Sequence, residues 1–308
     1  MKIEIQKIQK IWDFISSQKY ITICTHVDPD GDTIGTSIAL KEFIENNTSV
    51  KEVRISGGDM PEMFNYITND IEDDVDDEYF NKSQVIVVDT SNKARIWDER
   101  VVTKDSIKID HHKEQEEWLM GIGGDYWPAC GQLLAEMAFM LNLKWTEKAR
   151  IGITTAIVTD TENFTQRNIG FKTFDVMTQM LKDGHNYLDV IPKLLPSAEE
   201  TKLINSFMKY VTYEKDMIIF YTTEYVPRSI YRTLVARVSS VSDVEVTLFI
   251  GGTPKPGMLR CGLRSKGNVD VSVIAESLGG GGHHASSGFK VPSDTKLEDI
   301  VRVVKKYI

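Results

Sequence analysis

Histidines and aspartates stand at the ends of apolar runs in this chain, a placement that would let them bind metal or move protons. YITICT leads directly into His26-Val27-Asp28-Pro29-Asp30-Gly31-Asp32. VIVVD ends on Asp89, SIKID runs into Asp110-His111-His112, and a helical pattern ends on Asp160. Each signal alone is weak. An aspartate after a strand is usually a turn or N-cap residue, a lone histidine is more often packed or solvated than a ligand, and a His-His pair is often accidental. The joint pattern differs, because buried carboxylates must be paired or metal-bound. Carboxylate with imidazole suits Mn2+, Fe2+ or Zn2+, and the oxygen-rich balance favours Mn2+. Four carboxylates would neutralise two divalent ions, so a dinuclear centre is the expectation.

Such residues need elements to carry them. Tyr20–Thr25, Glu52–Ser56, Val85–Asp89 and Ser106–Asp110 read as buried strands. Helical patterns lie at Thr33–Asn46, at Pro128–Leu141 and, capped by Thr146, from Glu147 to about Thr159. Near-continuous apolar strands interleaved with helices predict a parallel α/β sheet. Ligands of open parallel sheets sit beyond the carboxyl ends of the strands, where His26, Asp89 and Asp110 fall. Asp160 follows Ile153 and Ile157 by helical steps and extends the apolar stripe of its helix.

A helical stretch over Ser197–Tyr210 precedes a change in character. Met217–Thr222, Glu245–Ile250 and Leu259–Leu263 read as strands, followed by helical patterns at Val271–Leu278 and Leu297–Tyr307. This predicts a second, smaller α/β domain, with the junction between Asn186 and Ser197 near Pro192 and Pro196. Its sharp feature is Gly279-Gly280-Gly281-Gly282-His283. Four glycines without Cβ atoms would let backbone N–H groups approach an anion; the plain alternative is a flexible turn. A GxGxxG fingerprint after the first strand is absent, which disfavours a nicotinamide-dependent oxidoreductase. Arg260 and Arg264 share one strand face by period two, and Arg237 is a weaker candidate cation.

Composition bounds the partners. The chain has 308 residues, 41% hydrophobic and 26% charged, which fits two globular domains. The net charge is −9, and without a long basic stripe, binding of long duplex nucleic acid is not expected. The acidic run IEDDVDDE reads as a solvated loop, since it lacks the glycine and spacing of an EF-hand. Cys24, Cys130 and Cys261 are odd in number and far apart, so a reducing cytoplasm is the expected location. The N-terminus lacks a secretory signal pattern, and no run is long enough to span a membrane. A homodimer is compatible with the sequence.

HVDPDGD, VVD, DHH and Asp160-Thr161 resemble the ordered motifs of the DHH phosphoesterase superfamily. LRSKG and VDVSVIAESLGGGGHHASSGF resemble its DHHA1 substrate-binding domain. The resemblance implies a DHH domain over 1–190, a linker helix region over 191–212 and a DHHA1 domain over 213–308, with an active-site cleft between the domains. It implies two manganese ions, one held by His26, Asp30 and Asp89, the other by Asp32, Asp89, His111 and Asp160, with Asp89 bridging. His112 would face the scissile phosphate, and Asp110 would orient a neighbour. Arg264, Ser265, Gly281, Gly282 and His283 would contact substrate. Asp28 falls at a variable position. Ser286 and Ser287 stand where the family commonly has alanine.

Within the superfamily the pieces resemble the NrnA-like group, which acts on short oligonucleotides and on 3′-phosphoadenosine 5′-phosphate (pAp), releasing nucleoside 5′-monophosphates; the dinucleotide pApA fits the same description. The alternatives are a RecJ-like single-strand exonuclease, an exopolyphosphatase- or pyrophosphatase-type hydrolase, and a non-catalytic nucleotide sensor.

Overall fold

The structure, a computed structural model, describes residues 5–72, 75–165, 168–254 and 256–308, apart from the side chain of His283. It divides into two compact units, Met1–Leu195 and Pro196–Ile308.

The first unit carries six parallel strands: β1 (Tyr20–Cys24), β2 (Glu52–Ser56), β3 (Ile71–Glu72), β4 (Gln84–Val88), β5 (Ile107–Asp110) and β6 (Met120–Gly123). Their order is β3-β2-β1-β4-β5-β6, so the chain reverses its direction of winding between β1 and β4. A crevice opens at such a switch point beyond the strand ends. The helices are α1 (Ile5–Ser16), α2 (Gly31–Asn47), α3 (Asp77–Lys82), α4 (Cys130–Met140), α5 (Glu147–Asp160) and α6 (Phe171–Lys182). The main core joins Ile21, Ile23, Ile86, Val88 and Ile109 of the sheet to α1, α2, α4, α5 and α6.

The α2–α5 crossing is close because glycines face each other. A Cβ on Gly35 would meet the Gly152 carbonyl oxygen at 2.2 Å, and one on Gly152 would meet the Gly35 oxygen at 2.6 Å. A Cβ on Gly131 at the start of α4 would lie 2.4 Å from that of Ala156 on α5. The N-terminal ends of α2 and α4 and the body of α5 therefore meet almost backbone to backbone.

The predicted strands and helices of this unit form, with their ends shifted by up to two residues. Thr146 caps α5, accepting from Ala149 N at 3.1 Å. The short edge strands β3 and β6 and the helices α3 and α6 were not anticipated. The acidic run is more than a solvated loop. Asp76 caps α3 and pairs with Arg54 at 2.7 Å, Glu72 lies 3.8 Å from the same guanidinium, and Asp77 pairs with Arg100 at 2.5 Å. Arg54 and Arg100 lie over the rings of Tyr79 and Phe80, so the charges lock α3 to the sheet edge. Asp73 and Asp74 fall outside the described residues.

The second unit begins with α7 (Ala198–Phe207), capped by a reciprocal Ser197–Glu200 box. It continues through β7 (Val211–Tyr213), β8 (Met217–Tyr225), α8 (Arg228–Ser239), β9 (Val246–Gly252), β10 (Met258–Ser265), α9 (Val271–Ser277), β11 (Gly281–His283), β12 (Ser286–Pro292) and α10 (Leu297–Val304). The sheet order is β11-β12-β10-β9-β8-β7. β8 and β9 are parallel and the other pairs antiparallel. Helix α8 and strands β7, β11 and β12 were not anticipated.

The glycine run is not an open loop. Gly281–His283 is an edge strand, pairing Gly281 with Gly288, Gly282 with Ser287 and His283 with Ser286. A Cβ on Gly280 would meet the Gly288 oxygen at 2.1 Å. Gly282 has φ 145°, and its Cβ would strike Ser287 Cα at 2.5 Å. The approach of β12 thus accounts for these two glycines. The space beside Gly281 is open within 4 Å. Among the described residues, no helix is long and apolar enough to cross a membrane.

Candidate metal centre

Each histidine and aspartate of the first domain's pattern is delivered by a strand or helix end. His26 follows β1, is bridged to Ile96 and is buried. Its Nδ1 lies 2.8 Å from the Val27 carbonyl oxygen. His111 follows β5, with Nδ1 2.9 Å from the Trp127 carbonyl oxygen. A carbonyl only accepts, so both rings carry a proton on Nδ1 and turn Nε2 towards the carboxylates. Metal-ligating imidazoles are commonly oriented in this way.

The carboxylates converge on those Nε2 atoms. His26 Nε2 lies 3.7 Å from Asp30 Oδ1 and 3.4 Å from Asp89 Oδ2. His111 Nε2 lies 3.2 Å from Asp89 Oδ1, 3.5 Å from Asp32 Oδ2 and 3.5 Å from Asp160 Oδ2. Asp89 therefore turns one oxygen to each histidine. His26, Asp30 and Asp89 form one group that could hold an ion, Asp32, His111 and Asp160 another, and Asp89, His111 and His112 a third. Two ligands at right angles around an ion about 2.1 Å away would lie about 3 Å apart, close to these spacings.

Local backbone explains how each carboxylate arrives. Asp30 caps α2 and accepts from Asp32 N at 3.0 Å and Thr33 N at 3.3 Å, so its capping and ligand readings coexist. Asp89 has φ 60°, an uncommon conformation for a side chain with a Cβ. Its N–H donates to the Ile109 oxygen at 3.0 Å, which fixes the turn after β4. Asp32 is fully buried at the N-terminus of α4, accepting from Cys130 N at 2.6 Å and Gly131 N at 2.9 Å, with Thr36 donating at 3.0 Å. Sequence reasoning missed this cradle; the proximity of α4 to Asp32 spans 98 residues and leaves no local signal. Asp160, the last residue of α5, is 22% exposed.

The electrostatics show a cluster short of positive charge. Burial raises the Asp32 pKa well above the carboxylate range. The charges of Asp89, Asp160 and Asp30 add to this, against the lowering effect of His111. The N–H groups of α4 favour its anion without reversing that direction. Burial opposes the charge on His26, but hydrogen bonding to the Asp30 and Asp89 carboxylates prevails and raises its pKa to about 10. Burial likewise raises Asp89, yet the hydrogen bonds from His111 and His26 hold it well below its ordinary value. Asp89 Oδ1 is buried and faces the His111 and His112 imidazoles at 3.2 and 3.8 Å. Mutually repelling carboxylates and aimed Nε2 atoms fit divalent metal; buried charges of this kind are otherwise paired.

His112 lies beside this group, its Nδ1 2.6 Å from Asp110 Oδ1 and 3.8 Å from Asp89 Oδ1. Asp28, with φ 54°, has its side chain in none of the three groups.

The candidates in the second unit do not gather in the same way. Arg264 donates to the Leu263 oxygen at 3.0 Å and is half-buried. Arg260 is exposed and lies over the Tyr231 ring at 4.2 Å. The Ser265 hydroxyl closes a turn, donating to the Val269 oxygen at 2.6 Å and accepting from Gly267 N at 3.1 Å. Gly281 and Gly282 lie in β11; the side chain of His283 lies outside the described residues. Arg237 is in the last turn of α8.

Residues 20–158 match the N-terminal domain of the DHH family, and residues 214–308 match the DHHA1 domain. The chain is 28% identical over 314 residues to the probable bifunctional oligoribonuclease and PAP phosphatase NrnA of Streptococcus mutans, covering 96% of each. It is 26% identical to the bifunctional oligoribonuclease and PAP phosphatase NrnA of Bacillus subtilis over the full length of both. An exopolyphosphatase-related protein of Bacteroides fragilis has the same fold, with a TM-score of 0.83 and 20% identity, over 99% of this chain and 96% of that one. With both domains matched in order and the whole length shared with these relatives, the chain belongs to the DHH family with a C-terminal DHHA1 domain.

Proposed function

We propose that the chain hydrolyses phosphate esters of very small nucleotides, short oligonucleotides such as pApA and the mononucleotide pAp, to nucleoside 5′-monophosphates. The observation that carries this reading is the division of the Asp89 carboxylate, one oxygen facing His26 and the other His111. Two ions are proposed. His26, Asp30 and Asp89 would hold one, and Asp32, Asp89, His111 and Asp160 the other. The mixture of carboxylate oxygen and imidazole favours manganese. Ions held there would supply acidified water and positive charge for the phosphoryl oxygens.

The chain's own residues do the rest. Asp110 accepts a hydrogen bond from His112 Nδ1, so Nε2 is the nitrogen proposed to meet a phosphoryl or leaving oxygen. Asp32 is held by α4 and Asp30 by the start of α2, so these carboxylates need little reorganisation. Arg264, Ser265, Gly281, Gly282 and His283 are proposed to bind substrate. Arg264 is the strongest of these as a cation, while the Ser265 hydroxyl is already engaged in its turn. The relatives named as oligoribonuclease and PAP phosphatase support the substrate class.

The test is kinetics of the metal-free protein reconstituted with Mn2+, on pAp, pApA, longer oligonucleotides and pyrophosphate. Efficient turnover of pAp or pApA is expected, with two manganese ions bound per chain. Preference for pyrophosphate, or full activity in a verified metal-free sample, would overturn the reading.

A further inference from the structure

Lys108 is an unusual occupant of its position. It lies in the middle of β5, between Ile107 and Ile109, and is 1% exposed. Lysine is almost never fully buried unless paired. Across the sheet it faces Val87 on β4 and Gly121 on β6. A Cβ on Gly121 would lie 3.4 Å from Lys108 Cε, an ordinary contact, so the lysine stem runs alongside β6. Two residues on, Gly123 faces Asp110, and a Cβ there would collide with the Asp110 backbone oxygen at 1.4 Å. Lys108 and Asp110 share one face of β5 by period two.

The ammonium reaches two carboxylates. Nζ lies 2.6 Å from Glu114 Oε2, which is 62% exposed, and 3.8 Å from Asp110 Oδ2. Asp110 is fully buried, and Oδ2 has no hydrogen-bond partner among the described residues. Its other oxygen holds His112 Nδ1 at 2.6 Å. A chain of groups therefore runs from a buried cation through a buried carboxylate to the imidazole beside the candidate metal groups.

We infer that Lys108 is a positioning residue for the Asp110–His112 pair. Its charge, buried at the end of β5, is the counter-ion that keeps the Asp110 carboxylate where it fixes the ring and tautomer of His112. Without that cation Asp110 would be a buried carboxylate with one orphaned oxygen, free to turn away from the ring or admit water. The inference rests on the reading of His112 as a substrate-facing group. The competing account is that Lys108 only anchors the loop carrying Glu114.

Lys108→Met, Asp110→Asn, the double variant and Glu114→Gln test it, each with manganese content measured and folding checked by circular dichroism. Partners one step removed from a metal site typically cost about 10–100-fold when lost. Lys108→Met is expected to lower kcat by that factor, with KM for pAp changed less than about threefold. The double variant is expected to be no worse than Asp110→Asn alone, because both act through one path. Glu114→Gln is expected to stay near wild type. In the metal-free protein, long-range 1H–15N spectra of labelled histidine should show the Nδ1–H form of His112 in wild type and a mixture in Lys108→Met. Lys108→Gln, which keeps a donor without charge, carries the same comparison if the methionine variant does not fold. Additive losses, a Glu114→Gln variant as impaired as Lys108→Met, or an unchanged His112 signature would overturn the inference. Absence of hydrolysis by wild type would instead reject the parent reading.

Discussion

Asp89 concentrates the chemistry of this chain in one side chain. Its backbone is held at φ 60°, which costs a non-glycine residue of order 1–3 kcal/mol and is tolerated where the surroundings over-determine it. The return is a carboxylate with an oxygen for each histidine. Asp89→Asn keeps the shape and halves the value of the group as a ligand. It is expected to abolish hydrolysis and lower manganese content while the circular dichroism spectrum is retained; an active variant with two ions bound would reject the bridging role. The histidines allow a second test. In the metal-free protein the pKa of His26 is raised to about 10, so it is protonated at neutral pH, and that of His111 is raised in the same direction by its neighbouring carboxylates, against burial. A metal ligand must be neutral imidazole. Manganese binding should therefore release about one to two protons per chain near pH 7.5 and tighten as pH rises towards 10. Calorimetry in buffers of different ionisation enthalpy measures the release, and binding without it would mean the histidines are already neutral.

At the scale of elements, the site depends on where helices end. Asp32 is in the first turn of α2 and Asp160 closes α5, and the two helices cross through Gly35 and Gly152. Gly35→Ala would place a methyl group against a backbone oxygen that cannot yield. Overpacking of this kind costs about 1–3 kcal/mol, and separating the helices should also weaken manganese binding by drawing Asp32 from Asp160. Denaturation and metal titration of the same variant check both; lost stability with unchanged affinity would show that the crossing does not set the ligand spacing. The same elements show what was legible in the sequence. β1, β4 and β5 could be read because parallel strands buried on both faces are near-continuous apolar runs, and the residues ending them were legible with them. Asp160 was legible from helical spacing. β6 was not, because MGIG is four residues long and half glycine and so has no apolar signature. The α4 cradle around Asp32 was hidden by distance along the chain. Lys108 did have a signal, a lysine inside the apolar run SIKID, which was passed over as part of a strand. In the second unit the four glycines suggested an anion loop, whereas Gly280 and Gly282 are fixed by the approach of β12.

At the scale of the whole molecule, charge bears on substrate size. The net charge is −9, and several of the arginines and lysines are already committed. Arg54 and Arg100 hold the acidic run, Arg260 lies on Tyr231, and Lys108 is buried. Arg264 is the proposed substrate cation. Arg264→Ala should leave manganese content unchanged and raise KM for nucleotides more than it lowers kcat, since a group that grips a non-reacting phosphate contributes mainly to uniform binding. Longer substrates should gain little. Each extra phosphate beyond the first few would meet no further cation and would feel the net negative field, a penalty that salt screens. The expectation is that kcat/KM falls as RNA oligomers lengthen beyond roughly five residues, and that the fall is steeper at low ionic strength. A 5′-phosphate should help wild type and help Arg264→Ala less. The measurement is a series of 5′-phosphorylated and unphosphorylated oligomers, from two to about twenty-four residues, at two salt concentrations. A polymer-binding nuclease would give the opposite salt response, because its affinity comes from counterion release and weakens as salt rises. Equal or rising efficiency at the long end, with loss of activity at high salt, would move the chain to the RecJ-like reading. A 5′-phosphate effect that survives Arg264→Ala in full would place the anchoring cation elsewhere.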